Sequence, residues 1–463
     1  MKKIFKKFTS VLVFILTLIV AFSFAGCAAD GIKGESWAGS TAPGGSSGGS
    51  GWGDMPDGAP DMSDGSGDSS DPSAPGDESD PSEPDADPSE PDGEGSGNQQ
   101  KPIAKQLTAA EWNDAKNYDF WLSLFESDVP FKGQDGVETT KDGIFSGYEK
   151  ATRGLDSFDM HEVYVTSGEN PAVGAKVTLF DESTVIYSAV TDSTGTAYVF
   201  GNGTHIEAVS GEFKAVSQIS EDVTQISLDG SASFEDEIDI MFVVDTTGSM
   251  GDELSFLCKE LSGIITRVTS SLTCKINLAL LFYRDKGDQY VTKKYGFTDV
   301  TSQNGLSTVL KNIQAQRAAG GGDYPEAVDT ALKEAVDADW NMNSKTRLIF
   351  HVLDAPYHDN QSNQSVFADA VLSASEKGIR IIPVAASGLD TLGQYIMRSA
   401  ALLTGGTYTF LTDDSGIGNS HELPEVGLFT VEYLSDLMVR LIKGYYYGEF
   451  EEPVHWTQSE SII

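Results

Sequence analysis

The strongest constraint on the fold is an apolar run that ends abruptly in a polar loop. The run Ile238–Val244 predicts a buried strand, and the loop 245–250 follows it directly. Asp245, Thr247 and Ser249 occupy alternate positions in this loop, so their side-chain oxygens are expected to point the same way. The carboxyl end of a central strand is where α/β sheets bind ligands, and hard oxygen ligands favour Mg²⁺, Mn²⁺ or Ca²⁺. The sequence therefore predicts a divalent cation site here, with capping of the next helix as the alternative role for Asp245 and Thr247.

Two further loops of the same kind follow later in the chain. The glycine-rich stretch 320–327 contains Asp323, and the predicted strand Leu348–Leu353 ends at Asp354. In this order, with helix-like stretches between them, the three loops resemble the metal-ion-dependent adhesion site of bacterial von Willebrand factor type A domains. The resemblance covers residues 234–447. It implies one divalent cation, Mg²⁺ in the first place and Mn²⁺ or Ca²⁺ as alternatives, held by Asp245, Thr247, Ser249, Asp323 and Asp354.

The pattern of the region agrees with the sheet of that family. From Glu237 onward, apolar runs of strand length alternate with stretches of helical periodicity, which predicts a doubly wound, mostly parallel six-stranded α/β sheet. After the first strand, the predicted strands are 276–283, 290–297, 347–353, 379–385 and 407–411. The predicted helices after the second strand are 306–316, 325–336, 364–377 and 431–442.

The second loop departs from the commoner family pattern. It lacks the usual Thr, which leaves Asp323 as the oxygen ligand expected there. Together with Asp245 and Asp354 it would surround one ion with three carboxylates, which raises cation affinity but weakens the pull on an acidic ligand. A cap ahead of Pro325 is the alternative role for Asp323. Glu326, in the first predicted helical turn, is expected to compensate the helix dipole rather than bind the ion.

Several polar residues are candidates for the ligand-facing edge of the sheet. They are Arg284, Asp285, His358, Asp414 and His421. For Arg284 and Asp285, a mutual ion pair that braces the loops is the alternative to ligand contact. His358 could serve as the base of a metal-dependent hydrolase. The sequence has no Ser/His/Asp or Cys/His constellation at a known family spacing and no nucleotide-binding loop, so we expect a binding protein rather than an enzyme.

The amino-terminal residues have the pattern of a secretion signal. A basic start, Met1–Lys7, precedes the apolar run Val11–Phe24, which is too short for a comfortable membrane span. Two small residues stand directly before Cys27, and this arrangement resembles a bacterial lipobox. The resemblance implies removal of residues 1–26 and acylation of Cys27, with an ordinary secretory signal as the alternative. We therefore expect a lipid-anchored protein on the extracytoplasmic side of the cell membrane, attached through its lipid alone.

Composition limits the partners of the chain. Residues 27–100 are dominated by Gly, Ser, Pro, Asp and Glu, which predicts a disordered acidic linker, with a specific acidic recognition segment as the alternative. The whole chain has 31 Lys and Arg against 70 Asp and Glu, a formal net charge of −39. Such a charge repels nucleic acid and anionic lipid surfaces. The expected partner is therefore a protein from a host, the extracellular matrix or the cell envelope.

Two regions lie between this linker and the sheet. Residues 101–150 are predicted to be helical or irregular, and the helix Leu107–Phe125 is expected to begin with a capping box at Thr108. Residues 155–232 contain short predicted strands separated by turns, and they resemble the small β-sandwich of carboxypeptidase-regulatory-like domains. Such a sandwich is expected to act as a spacer or a binding accessory.

The remaining cysteines and the carboxyl-terminal tail are less informative. Cys258 is predicted within the first helix after the metal loop and Cys274 at the start of the next strand, at opposite ends of the domain. Two buried free thiols are expected, with a disulfide as the alternative. The tail 448–463 is expected either to pack on the domain or to fray.

These patterns favour a surface-anchored lipoprotein with a von Willebrand factor A-like region. That region is expected to bind a divalent cation and, through it, a protein ligand. A scaffold that assembles or regulates an envelope complex is the alternative from another functional class, and a metal-dependent hydrolase is a third.

Overall fold

An eight-stranded sheet and a separate β-sandwich contain most of the strands of this protein. The computed structural model describes residues 104–132, 138–151, 153–251 and 253–459. The predicted signal 1–26, Cys27 and the predicted linker 27–100 lie outside these residues. All the described residues belong to one compact unit, Gly95–Ile463.

The described strands and helices are numbered along the chain. The strands are β1 Thr108–Trp112, β2 Val129–Lys132, β3 Glu138–Lys141, β4 Met160–Ser167, β5 Asn170–Pro171, β6 Lys176–Asp181, β7 Thr184–Val190, β8 Thr196–Phe200, β9 His205–Ser210, β10 Phe213–Gln218, β11 Val223–Leu228, β12 Glu235–Asp245, β13 Lys275–Tyr283, β14 Thr292–Asp299, β15 Ser344–Leu353, β16 Ile379–Ala385, β17 Tyr408–Thr412 and β18 Glu432–Tyr433. The α-helices are α1 Tyr118–Ser123, α2 Leu254–Ser271, α3 Gln303–Gln314, α4 Val328–Val336, α5 Gln361–Lys377, α6 Thr391–Thr404 and α7 Leu434–Tyr447.

The large sheet is mixed and has eight strands, which corrects the predicted six-stranded arrangement. Its spatial order is β14-β13-β12-β15-β16-β17-β1-β18. The pairs from β13 through β17 are parallel, whereas β14 pairs antiparallel with β13, and β1 pairs antiparallel with both of its neighbours. All six predicted strands are therefore present, but β1 and β18 extend the sheet beyond β17.

The predicted helix over Leu107–Phe125 is wrong, because its first half is the strand β1. Thr108 lies opposite Thr412 of β17, and their hydroxyl oxygens are 2.8 Å apart. Thr108, Ala109 and Ala110 are fully buried in this position. Pairing with β17 satisfies the backbone hydrogen-bonding groups of this segment. No helix therefore begins at Thr108, and the residues with capping-box spacing do not cap one. Only the short helix α1 forms later in the segment.

The central strands are covered by helices on both faces. Successive side chains of β12 point to opposite faces, as in any strand. Ile240 and Phe242 pack in a core with α2, α3 and α7, whereas Met241 and Val243 pack in a core with α4, α5 and α6. The uninterrupted apolar run of β12 follows from this double burial.

The sandwich packs against the large domain at the amino-terminal ends of the parallel strands. One of its sheets has the order β10-β9-β6-β7, and the other contains β11, β4, β5 and β8. The hydroxyl of Tyr187 donates to the carbonyl of Leu403 at 2.5 Å, and Arg380, near the start of β16, donates to the carbonyl of Val190 at 3.3 Å. The carboxyl ends of the strands, where ligand sites are expected, lie at the other end of the sheet.

The first described residues are bonded to a loop at the carboxyl ends of the parallel strands. The backbone N–H of Ala104 donates to the carbonyl of Asp414 at 2.8 Å, and that of Lys105 donates to the carbonyl of Ser415 at 3.1 Å. Both carbonyls belong to the loop that follows β17. The start of the described chain is thus fixed beside this loop.

Three smaller observations complete the fold. Cys258 and Cys274 are both buried free thiols, as expected. Trp456 is buried and its backbone N–H donates to the carbonyl of Val431 at 2.9 Å, so the tail packs on the domain at least to this residue. Among the helices of the described residues, none is both long enough and apolar enough to cross a bilayer.

Candidate metal centre

The loop after β12 brings three predicted oxygen ligands together. Thr247 donates two hydrogen bonds to Oδ1 of Asp245, from its backbone N–H at 2.8 Å and from its hydroxyl at 2.7 Å. The hydroxyl of Ser249 lies 3.2 Å from that of Thr247. Asp245 and Thr247 are fully buried, whereas Ser249 is exposed. These bonds stay within the loop and α2 begins only at Leu254, so Asp245 and Thr247 do not cap that helix.

Glu326 occupies a buried position that the sequence did not predict. The predicted helix start at residue 325 is too early, because α4 begins at Val328 and Glu326 precedes it. The backbone N–H of Glu326 donates to the carbonyl of Pro356 at 2.9 Å, and Glu326 forms an isolated bridge with Tyr357. These contacts hold Glu326 against the loop that starts at Asp354, and only 3% of its surface is exposed. Glu326 therefore lies before the helix and beside the site loops, not in the first helical turn as expected.

The carboxylates of the centre raise one another's pKa. Burial and the neighbouring charge of Asp354 raise the pKa of Asp245 to about 7. Burial raises the pKa of Glu326 to about 9, and the charge of Asp245 contributes. Asp285, Asp354 and Asp288 add to the shift at Glu326. Because like charges repel strongly at a buried site, the arrangement is costly unless a cation or protons compensate it.

Two carboxylate oxygens in the centre have no hydrogen-bond partner among the described residues. They are Oδ2 of Asp245 and Oε2 of Glu326, both buried. Buried polar atoms are rarely left unsatisfied in native proteins, and each exception requires an explanation. Oxygens of this kind beside two hydroxyls fit the ligand preference of Mg²⁺, Mn²⁺ and Ca²⁺. The residues present therefore fit a divalent cation.

The glycines of the second loop allow it to lie close to these acids. Gly320 and Gly321 both have positive φ, at +81° and +73°. A Cβ atom at Gly320 would lie 2.4 Å from the carboxylate of Asp288, and one at Gly321 would lie 2.9 Å from Oε1 of Glu326. Only glycine fits both the backbone conformation and the space.

Arg284 braces the loops from below rather than facing a ligand. Its Nε donates to the carbonyl of Thr246 at 3.1 Å, and its Nη2 donates to the carbonyl of Arg317 at 2.8 Å. The guanidinium also lies over the ring of Tyr290, 4.6 Å from its centroid. The expected alternative was that Arg284 braces the loops through an ion pair with Asp285. Arg284 does brace the loops, but through backbone carbonyls, and Asp285 contacts His358 instead.

Asp285, Asp323 and His358 form a second cluster beside the centre. Nε2 of His358 lies 2.9 Å from Oδ1 of Asp285, and its Nδ1 lies 3.8 Å from Oδ2 of Asp323. Asp285 is buried, whereas 66% of the Asp323 side chain is exposed. Asp323, the ligand that the sequence predicted in the second loop, thus lies beside His358 at the rim of the site.

An open cleft of about 490 Å³ lies above these groups. Its lining includes Ser249, Asp323, Glu326 and Asp354 from the site loops, and Ser420 from the loop after β17. Four of the five predicted metal residues therefore either line the cleft or bond to a residue that does. Thr247, Ser249 and Asp354 join buried Asp245 in the centre, whereas Asp323 lies in the second cluster beside it.

The last two ligand-face candidates have structural contacts. His421 is buried, with Nε2 3.1 Å from Oε1 of Glu253 and Nδ1 2.8 Å from Oδ1 of Asp413. Asp414 is half-buried, and its backbone carbonyl accepts the N–H of Ala104. Glu253 was missed because nothing in the local sequence pairs it with His421. Glu326 was missed because its position depends on the backbone contact with Pro356, which no local pattern shows.

Comparison with known proteins agrees with this geometry over part of the chain. Residues 239–394 match the family model for the von Willebrand factor A domain. An ariadne-like RING finger protein of Acanthamoeba polyphaga mimivirus is 32% identical over 131 residues, which are 28% of this chain and 12% of that protein. The chain therefore spans only a small part of the length of that curated relative.

Solved structures show weaker likeness. The pilus adhesin SpaC from Lactobacillus rhamnosus GG, in its open conformation, is 10% identical with a TM-score of 0.31, covering 51% of this chain and 31% of that chain. The protein BatB from Bacteroides thetaiotaomicron is 11% identical with a TM-score of 0.32, covering 45% of this chain and 98% of that chain. Scores of this size support no statement about function. The family match and the arrangement of the loops are the stronger findings: residues 239–394 are similar to the von Willebrand factor A domain.

Proposed function

We propose that this protein binds a divalent cation at the end of β12 and, through it, a protein ligand. The cation is held by Asp245, Thr247, Ser249, Glu326 and Asp354. The observation that carries this proposal is the buried Oε2 of Glu326, which has no hydrogen-bond partner among the described residues, together with buried Asp245, whose Oδ2 has at most a poorly aligned contact with the Tyr283 hydroxyl. Mg²⁺ is the first candidate, with Mn²⁺ and Ca²⁺ as alternatives, because all the donors are hard oxygens.

The open cleft supports the second half of the proposal. A bound cation supplies a Lewis acid that accepts an oxygen ligand from outside the protein. Ser249 and Asp354 line the cleft, so one side of the centre faces the space that a partner would fill. Arg284 holds the carbonyl of Thr246 and thereby fixes the loop against the sheet. The chain's own residues thus present a cation centre that faces the cleft and can accept an oxygen ligand from a partner.

A melting experiment tests the cation. Full-length protein should gain thermal stability with Mg²⁺ or Mn²⁺, because a ligand bound only by the native state stabilises it, by about 2.7 kcal/mol at a hundredfold excess over Kd. Asp245→Ala should abolish the gain, and Thr247→Ala should reduce it. Asp369→Ala, which changes an acid on the exposed part of α5, is the matched control. The proposal fails if wild-type protein shows neither a melting shift nor heat of binding at millimolar cation.

We further propose that the protein is a lipoprotein of the extracytoplasmic membrane face. The basic start, the short apolar run and the small residues before Cys27 support this proposal. Residues 27–100 would then serve as the linker between the lipid and the domain. Cys27→Ser should release the protein from membranes or leave it unprocessed. Mass spectrometry that finds unmodified Cys27 in mature, membrane-free protein would refute the anchor.

The kind of protein partner separates adhesion from scaffolding. An adhesive role predicts that the purified protein binds host or matrix proteins, whereas a scaffold co-purifies with envelope proteins of its own cell. The identity of the proteins captured in a pull-down distinguishes the two roles, and chelator should abolish capture in either case, since the cation is needed for both. We propose a binding role without catalysis, and turnover of a substrate that His358→Ala abolishes would contradict it.

A further inference from the structure

The cluster beside the proposed cation has the composition of a metal site of its own. Asp285, Asp323 and His358 each offer one ligand atom, and these atoms lie within 4.8 Å of one another. They come from three separate loops, which follow β13, precede α4 and follow β15. Nitrogen and carboxylate ligands bind Zn²⁺ at about 2.0–2.2 Å, so two of them at a tetrahedral angle are about 3.4 Å apart. The contacts of His358 with Asp285 and Asp323, at 2.9 Å and 3.8 Å, bracket this separation.

A second observation points into the same place. Only 3% of the surface of Glu326 is exposed, and its Oε2 has no hydrogen-bond partner among the described residues. The acids that act on it electrostatically lie on both sides, Asp245 and Asp354 in the first centre and Asp285 in the second. Glu326 also lies beside both groups, because its backbone is bonded to Pro356 and bridged to Tyr357, directly before His358, and it lines the same cleft as Asp323 and Asp354. One of its oxygens can serve each group.

The count of charges favours two cations over one. Asp245, Asp354 and Glu326 already carry more negative charge than one divalent ion neutralises, and Asp285 and Asp323 lie next to them. The adjacent basic side chains are directed elsewhere: Arg284 donates to backbone carbonyls, and Lys286 lies 3.4 Å from Oδ1 of Asn363. Asp288 is held by two backbone N–H groups, from Asp285 and Gly321. Buried Asp285 contacts His358 at 2.9 Å, and a cation bound by both would offset the excess charge around them.

We propose that Asp285, Asp323 and His358 bind a second divalent cation, which shares Glu326 with the first. The imidazole ligand favours a first-row transition ion such as Mn²⁺ or Zn²⁺ over Mg²⁺. This site goes beyond the proposed function, which needs only the first cation. It also gives Asp323 a role at the rim of the cleft, where a second ion would sit beside an incoming ligand.

Counting bound Mn²⁺ by electron paramagnetic resonance tests the proposal on the full chain. Wild-type protein should bind two Mn²⁺ ions, and saturating Mg²⁺ should displace only the ion at the oxygen-only centre. Asp323→Asn and His358→Gln should each remove the Mn²⁺ that survives in Mg²⁺, with a loss of affinity of at least about tenfold. Asp323 is exposed, so its variant is expected to fold. His205→Gln, which removes an imidazole in the sandwich, should leave both ions bound.

The outcomes separate this site from the first one. A single ion that is lost in Asp245→Ala but kept in Asp323→Asn and His358→Gln would overturn the second site and leave the first standing. The opposite pattern would overturn the first site and leave the second. Two ions that are both insensitive to Asp323→Asn and His358→Gln would show that His358 merely links two carboxylates by hydrogen bonds, which also overturns the proposal.

Discussion

Arg398 donates to both carboxylate oxygens of Asp114, at 3.0 Å and 2.6 Å, and neither side chain is appreciably exposed. The pair joins the segment after β1 to α6, which covers the large sheet. Arg398 also donates to the carbonyl of Glu425 at 3.0 Å and lies over the ring of Trp121, 5.5 Å from its centroid. One buried guanidinium thus connects the amino-terminal segment, the helix layer and the loop after β17.

Removing one partner of this pair should destabilise the fold strongly. Asp114→Ala leaves the buried charge of Arg398 without a carboxylate, and such changes cost about 3–5 kcal/mol. Urea denaturation measures the loss. Glu376→Ala, which breaks the exposed pair with Lys176, is the control and should cost less than about 1 kcal/mol. Equal losses in the two variants would mean that Asp114 does not compensate Arg398.

Glu326→Gln should change stability and cation binding in opposite directions. The amide removes one of several mutually repelling buried acids, so cation-free protein should become more stable, by on the order of 1 kcal/mol. Cation affinity should fall, because hard divalent ions depend on carboxylate charge. Calorimetric titration and denaturation in chelator measure the two effects. A variant that loses stability without losing affinity would place Glu326 outside the centre; Glu376→Gln serves as the neutral comparison.

Without a cation, stability should fall as the pH rises. The folded pKa values of Asp245 and Glu326 are raised to about 7 and about 9, so the folded state keeps protons that the unfolded state releases near pH 4. As far as these groups decide it, stability in chelator is therefore highest below about pH 4. It decreases by up to about 3 kcal/mol per pH unit between pH 5 and 7, where both acids bind a proton only in the folded state, and by about half of that between pH 7 and 9. Saturating Mg²⁺ should flatten the decrease. Denaturation curves that rise with pH in chelator would refute this account of the two acids.

His421 should give a separate pH dependence that persists in Mg²⁺. Burial lowers the pKa of His421, but its contacts with Glu253 and Asp413 outweigh this and raise it overall. A raised histidine pKa contributes stability that is complete below about pH 6.5 and is lost as pH rises through the folded pKa. His421→Gln should therefore cost about 1–3 kcal/mol at pH 6 and less at pH 9. The same loss at both pH values would show that His421 acts through packing alone.

The sequence predicted the parts of the site that depend on local pattern. Burial of β12 on both faces produces its uninterrupted apolar run, and alternation in the next loop places Asp245, Thr247 and Ser249 together. By contrast, β1 could not be predicted, because its pairing partner β17 lies about three hundred residues away in the chain. The role of Glu326 depends on its backbone contact with Pro356, which is equally invisible to a local pattern.

The position of β1 also sets how the domain would bear a mechanical load. Thr108 lies opposite Thr412 at the carboxyl end of β17, so the described chain begins at the same edge of the sheet as the cleft. A force that pulls this end away from a ligand held in the cleft would open β1 from its first residue. Its hydrogen bonds would break one after another rather than all at once. After the contacts of Ala104 and Lys105, the strand would peel residue by residue until the load reached Asp114, whose buried bonds to Arg398 resist it.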